Sequence, residues 1–130
     1  MRTLIVEDDF TSRLLLQSSL ARYGECHIAV NGKEAVEAFR AAQASGQKYD
    51  LICMDIMMPE MDGQEAVREI RALEEAGGTL STTGVKIIMT TALDDVKNVV
   101  QAFMGLCDAY LFKPIDTAKL LDHLRGFRLV

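Results

Sequence analysis

Apolar and polar positions alternate along the chain in two rhythms. Five short apolar runs, Thr3–Val6, Cys26–Val30, Leu51–Met54, Val85–Met89 and Tyr110–Phe112, have the length and continuity of buried strands. The longer segments between them carry helical spacing. Phe10–Tyr23 is closed by Gly24, a natural helix stop. Asn31 precedes a second helix, has Glu34 three residues on, and is followed by Val36, Phe39 and Ala42 at helical intervals. Gln64–Ala76 sets Val67, Ile70 and Leu73 on one face and ends at Gly77-Gly78. Val96, Val99, Val100, Phe103 and Met104 form the stripe of a fourth helix with Asp94 as cap, and Asp116 caps a fifth with Leu120, Leu121 and Leu124 inward.

Five β-α units in succession, with strands too apolar to have a wet face, predict a doubly wound, five-stranded parallel sheet with five helices on its two sides. The 130 residues are read as a single domain, 1–130. The segment Gly77 to Gly84 is a surface loop too short to be a linker. In such a sheet a site lies outside the carboxyl ends of the strands. The first strand is followed by Glu7, Asp8 and Asp9, and the third ends on Asp55. The fourth is followed by Thr90, Thr91 and Ala92, and the fifth by Lys113-Pro114. Acids, a hydroxyl and a lysine therefore converge on one edge, and the set is more specific than any member.

Composition narrows the class without changing the picture. A net charge of −5 with no Lys/Arg run argues against a nucleic-acid surface. Cys26, Cys53 and Cys107 are odd in number and widely spaced, which suits a reducing compartment and buried thiols. No stretch has membrane-spanning length and the N-terminus lacks a signal-peptide layout, so a soluble cytoplasmic domain is expected.

Four segments, LIVEDD (Leu4–Asp9), MDIMMPEMDG (Met54–Gly63), MTTA (Met89–Ala92) and YLFKP (Tyr110–Pro114), each fall at a strand end and in order. Together they resemble the receiver domain of two-component response regulators, of the chemotaxis-receiver kind, over essentially the whole chain. The resemblance implies a flavodoxin-like strand order of 2-1-3-4-5. It implies Asp55 as phosphoacceptor, Asp8 as direct metal ligand, Glu7 acting mainly through water, and Met57 lending the metal a backbone carbonyl. Thr91 resembles the switch hydroxyl and Ala92 the small residue beside it that helps bind the phosphoryl group. Lys113 resembles the family's lysine and Tyr110 its switching aromatic.

A cluster of carboxylates is relieved by a divalent cation, and all-oxygen ligands favour Mg2+. The implied function is Mg-dependent phosphoryl transfer to Asp55 from a histidine kinase or histidine phosphotransfer protein. The chain would catalyse only its own phosphorylation and dephosphorylation, so it is not read as an enzyme. The face of the fourth helix, fifth strand and fifth helix would then switch toward a downstream protein target or a phosphorylation-dependent dimer, with no direct nucleic-acid or membrane contact. The alternative is a non-phosphorylated receiver-like binding module. A haloacid-dehalogenase phosphatase is disfavoured because Met57 stands where its second aspartate belongs, and a flavin carrier because Glu7, Asp8 and Asp9 would repel a phosphate. Chain length fits either a stand-alone receiver or a piece of a longer regulator.

Duller readings hold for the remaining features. Asp9, Asp94 and Asp116 are expected as caps and Asp62-Gly63 as a turn before a helix. His27 should be packed or hydrogen-bonded, and His123 exposed. Met54, Met57, Met58 and Met61 fall at helical spacing, but Pro59 spoils a helix there and methionine is mostly core filler. Family members commonly place a glycine nearer the last strand than Gly105 stands in the run Gly105 to Tyr110, so that turn is expected to differ.

Overall fold

A computed structural model describes residues 1–79, 83–92, 97 and 106–130. The strands are β1 (Thr3–Val6), β2 (Cys26–Ala29), β3 (Leu51–Asp55), β4 (Lys86–Ala92) and β5 (Ala109–Lys113). The helices are α1 (Phe10–Leu20), α2 (Gly32–Ser45), α3 (Gly63–Ala76) and α4 (Thr117–Gly126), with a 3-10 turn, Ala21–Tyr23, after α1. The strands form one parallel sheet in the order β2-β1-β3-β4-β5. Four α-helices are thus present among the described residues. The fourth helix expected from sequence, with its Asp94 cap and its stripe from Val96 to Met104, lies outside them, as does Gly105. The predicted fifth helix is α4.

The sheet divides two apolar layers. On one side Leu4, Val6, Ile52, Met54, Ile87 and Met89 meet Val36 and Phe39 of α2 and Val67 and Ile70 of α3. On the other, Ile5, Leu51, Cys53, Ile88 and Leu111 meet Leu16 and Leu20 of α1 and Leu120 and Leu124 of α4. Successive side chains of a strand point to opposite faces, which is why neighbouring residues fall into different layers. Both faces are covered, so β1 and β3 are buried throughout.

Local polar chemistry sets the helix starts. Asp9 accepts from the Ser12 amide at 2.8 Å, Asn31 from Glu34 at 2.9 Å, Asp62 from Glu65 at 2.9 Å, and Asp116 from Ala118 at 2.9 Å. Each side chain satisfies an amide that the first helical turn leaves without a partner. The Asn31–Glu34 pair departs from a full capping box, because the Glu34 carboxylate accepts from Val30 rather than from the cap residue.

Several boundaries and one burial differ from the sequence reading. Val30 falls outside β2. β3 ends on Asp55 as expected, but β4 starts at Lys86 and runs on through Ala92, so Thr90 and Thr91 are strand residues rather than loop residues, and β5 spans Ala109–Lys113. Ladder bonds to the neighbouring strands continue past the apolar run and keep these polar positions extended. His123 is half-buried, stacked on Phe127 with ring centroids 6.2 Å apart. His27 is hydrogen-bonded, to the Tyr49 hydroxyl at 2.7 Å and to Glu25 at 3.0 Å. No helix among the described residues is long and apolar enough to cross a membrane.

Candidate functional site

The carboxyl ends of β1, β3 and β5 bring four charged side chains together. Met54 pairs with Val6 in the ladder, so Asp55, the last residue of β3, and Glu7, the first past β1, lie side by side on the α1/α4 face. Glu7 is fully buried and Asp55 is only 5% exposed, while Asp8 is exposed at the mouth of the site. One carboxylate oxygen from each of Glu7, Asp8 and Asp55 lies within 4.8 Å of the others. Lys113 enters from β5, its Nζ 2.9 Å from Glu7 Oε1 and 3.3 Å from Asp55 Oδ2.

The loop after β3 holds Asp55 from the other side. The Met57 amide donates to Asp55 Oδ1 at 3.3 Å, and the Ile56 amide donates to the Thr90 carbonyl at 3.0 Å. Gly63 then lets α3 start against the strand end. Its amide donates to Ile56 O at 2.9 Å, and a Cβ there would fall 2.2 Å from the backbone oxygen of Asp55. Of the four methionines, Met54 is in the core, Met58 and Met61 pack against it, and Met57 is 62% exposed.

Electrostatics makes the acid cluster tense. Burial, and then the neighbouring Glu7 carboxylate, push the Asp55 carboxyl up to about 7, against the opposing pull of Lys113 and the Met57 amide. For Lys113 burial works against the charged form, but the hydrogen bond to Glu7 and the charge of Asp55 outweigh it and raise its pKa. One lysine thus serves two buried acids, and Glu7 Oε2 remains buried with no hydrogen-bond partner. A hard cation suits this arrangement, since it takes oxygen ligands and offsets the surplus negative charge.

Thr91 is 1% exposed and its hydroxyl donates to the Ala92 carbonyl at 3.4 Å. It is one residue past Thr90, so it points to the sheet face opposite Asp55. Ala92 is exposed at the rim beside Lys113, its ladder partner. Tyr110 is half-buried and meets Phe112 edge to face at 5.6 Å. The structure therefore brings together Glu7, Asp8, Asp55, Met57 and Lys113, and leaves Thr91, Ala92 and Tyr110 at the adjoining end of β4 and in β5.

A second charged cluster, at the opposite edge of the sheet, was not anticipated from sequence. Arg71 of α3 is 5% exposed and donates to Glu74 Oε1 at 2.6 Å, Asp108 Oδ2 at 3.0 Å, Val85 O at 2.8 Å and Leu106 O at 3.1 Å. Glu74 in turn accepts from the Val85 amide, and Asp108 from the Ile87 amide, both at 2.8 Å. The Leu106 carbonyl is presented by a residue at φ 73, left-handed backbone at the turn whose glycine spacing already looked unusual. Arg71 and Glu74 sit at i and i+3, an ordinary solvated pair to a sequence reader; nothing local signals their burial.

A parallel sheet in this order, with buried acids and a lysine at its carboxyl edge, defines a signalling receiver. The chain belongs to the response regulator receiver domain family, which matches residues 3–125. It is similar to the chemotaxis protein CheY of Thermotoga maritima, 30% identical over 125 residues covering 95% of this chain and 93% of CheY. It is also similar to the regulatory protein AtoC of Escherichia coli, 35% identical over 120 residues, where the matched part is 92% of this chain but 23% of AtoC. The chain thus spans only a fraction of some relatives and nearly all of others. Among solved structures, a Saccharomyces cerevisiae co-crystal of the histidine phosphotransfer protein Ypd1 with the receiver domain of Ssk1 matches with a TM-score of 0.83 at 29% identity, covering 98% of this chain and 88% of that one. The receiver domain of the sensor histidine kinase PA1611 of Pseudomonas aeruginosa, with a magnesium ion in its active-site cleft, matches with a TM-score of 0.78 at 29% identity, covering 97% and 95%.

Proposed function

We propose that Asp55 is the phosphoacceptor of this receiver and takes its phosphoryl group from a phosphohistidine of a kinase or a histidine phosphotransfer protein. The observation that carries the reading is the placement of Asp55 on a buried strand end, 3.3 Å from Lys113 and within 4.8 Å of two further acids. Residues 1–130 act as one receiver domain, and Asp8, Asp55 and the Met57 carbonyl would hold Mg2+, with Glu7 acting through water. When bound, the ion supplies positive charge that offsets the acids and the oxygens of the incoming phosphoryl group. The PA1611 receiver, with its magnesium, supports the choice of metal.

The chain's own residues supply position and charge, which is most of what phosphoryl transfer requires. The rigid strand aims the Asp55 carboxylate outward, and the Met57 amide fixes one of its oxygens. Attack by the other oxygen on phosphorus forms the aspartyl phosphate as the bond to the donor histidine breaks. Lys113 then pairs with a phosphoryl oxygen, and the Thr91 hydroxyl and Ala92 amide donate to the others. Thr91 leaves its place beside Ala92, Tyr110 moves toward the vacated space, and the face formed with β5 and α4 changes shape for a downstream protein.

Incubation with acetyl phosphate and Mg2+, followed by intact mass, tests the reading. An adduct of about 80 Da, one phosphoryl group, is expected in the wild type and absent in Asp55→Asn. Lack of any adduct would replace it with a receiver-like binding module that works without phosphorylation.

A further inference from the structure

The carboxyl edge holds a hydroxyl that this chemistry does not use. Thr90 lies directly opposite Asp55 in the β3–β4 ladder and is 1% exposed. Its Oγ1 is buried with no hydrogen-bond partner. Paired residues of a parallel ladder point to the same face from strands about 4.8 Å apart. Leu111, the partner of Thr90 on the other side, belongs to the α1/α4 layer, so Thr90 and Asp55 both face that layer.

The same-face positions surrounding Thr90 in the sheet are Cys53, Asp55, Ile88, Ala92, Leu111 and Lys113. Only Asp55 and Lys113 can exchange a hydrogen bond with it strongly. Lys113 starts on β5, beside Ala92, and reaches Asp55 on β3, so its stem passes over β4 on the face that Thr90 shares. The Thr90 hydroxyl thus lies on the face that carries the acid and the lysine that holds that acid. Thr3 Oγ1 is also buried without a partner, but its ladder neighbours, Cys26 and Leu51, are uncharged.

We propose that Thr90 is a positioning residue for the phosphoacceptor: its hydroxyl donates to the Asp55 carboxylate oxygen released when Lys113 turns to the phosphoryl group. This rests on the proposed function of Asp55. In hydrolysis the oxygen of water bonds to phosphorus, the P–O bond to Asp55 breaks, and the electron pair stays on the Asp55 oxygen while the water proton passes to solvent. Charge returns to the carboxylate during that step, so a donor facing it favours departure. The same donor quietens the carboxylate as a nucleophile, so it does not speed the forward transfer.

The full chain is charged with acetyl phosphate and Mg2+, the donor is removed, and intact mass follows formation and decay of the adduct. Thr90→Val, which replaces an unpaired hydroxyl by a methyl group, should lose phosphate roughly ten-fold more slowly than wild type, the size of one hydrogen bond to a charged group. Formation should be no slower, and Thr90→Ser should decay like wild type. Thr90→Ser against Thr90→Ala, which differ by the hydroxyl alone, repeats the comparison in a less crowded strand. Decay at the wild-type rate in both Thr90→Val and Thr90→Ala would overturn the inference. So would equal slowing of formation and decay that Thr90→Ser does not restore, since that marks packing alone. A wild type that takes up no phosphoryl group would instead overturn the role of Asp55, and this inference with it.

Discussion

The two edges of the sheet treat buried charge in opposite ways. At the amino edge, Arg71 donates to two acids and two carbonyls, and both acids accept backbone amides besides. At the carboxyl edge, two buried acids share one lysine, a third acid lies at the mouth, and Glu7 Oε2 and Thr90 Oγ1 have no partner. The first arrangement is closed and ties the starts of β4 and β5 to α3. The second is open, and its surplus negative charge and unused polar atoms are what a cation and a phosphoryl group would satisfy. Unpaired buried polar atoms cost stability wherever they sit; apart from Thr3 Oγ1 at the start of β1, those of the described residues fall where chemistry is proposed.

Breaking the closed edge should have the largest effect. Arg71→Ala leaves the buried Glu74 without its cation and Asp108 with only Lys86 at 3.9 Å, and should destabilise the fold by about 3–5 kcal/mol in urea titration. Arg71→Met combined with Glu74→Met, which removes both charges, should recover much of that loss. If the single variant costs no more than a surface change, the network is not the clamp described.

Next comes the joint between the open edge and α3. Gly63→Ala forces a Cβ against the backbone oxygen of Asp55 at 2.2 Å. Such overpacking should cost about 1–3 kcal/mol, and by displacing Asp55 it should also slow adduct formation in the mass assay. A variant with wild-type stability and labelling would show that the strand end has more room than this.

The open edge should behave in the reverse sense to the closed one. In the absence of divalent cations, Asp55→Asn should raise stability at pH 8 by on the order of 1–2 kcal/mol, since it removes a buried acid that its neighbour repels. The sign follows from the carboxyl being pushed up to about 7 in the fold, from 3.8 when unperturbed. Between those values the folded chain holds a proton that the unfolded chain has released, so stability falls as pH rises from about 4 through about 7 and is level beyond. Asp55→Asn should flatten that slope in thermal melts from pH 4 to 8; an unchanged slope would assign it to other groups.

The smallest effect is on cation affinity itself. Protons compete for Asp55, so Mg2+ affinity measured by calorimetry should rise several-fold from pH 6 to pH 8 and level off above about 7. The same titration on Asp55→Asn should be weaker and flatter. Equal pH dependence in the two proteins would place the ion elsewhere.

Much of this was legible before any coordinates. Strand positions, those of the four described helices, the caps Asp9, Asn31 and Asp116, and the gathering of Glu7, Asp8, Asp55 and Lys113 on one edge all follow from local signals, whereas Asp62 read only as part of a turn and proves to be a cap. Periodicity reports which face is buried, a cap side chain reaches only two or three residues, and a parallel sheet places successive strand ends together. The family pattern added the strand order, which periodicity alone does not specify. Strand ends were less legible: Thr90 and Thr91 read as loop because hydroxyls interrupt the apolar run, yet ladder bonds to β3 and β5 carry them into the sheet.

The amino acid sequence by itself therefore determined the elements, the edge on which the acids meet, and the identity of the residues there. Tertiary structure alone decided which charges are buried. Arg71 becomes a clamp only because Val85 and Asp108, 14 and 37 residues away, arrive around it. Thr90 becomes a neighbour of Asp55 only through the register of β4 on β3. Asp55 holds its proton more tightly because the core excludes water beneath it and because Glu7, just past β1, lies at the same level. Burial and long-range register are properties of the assembled sheet, and charge responds to them far more strongly than to its neighbours along the chain.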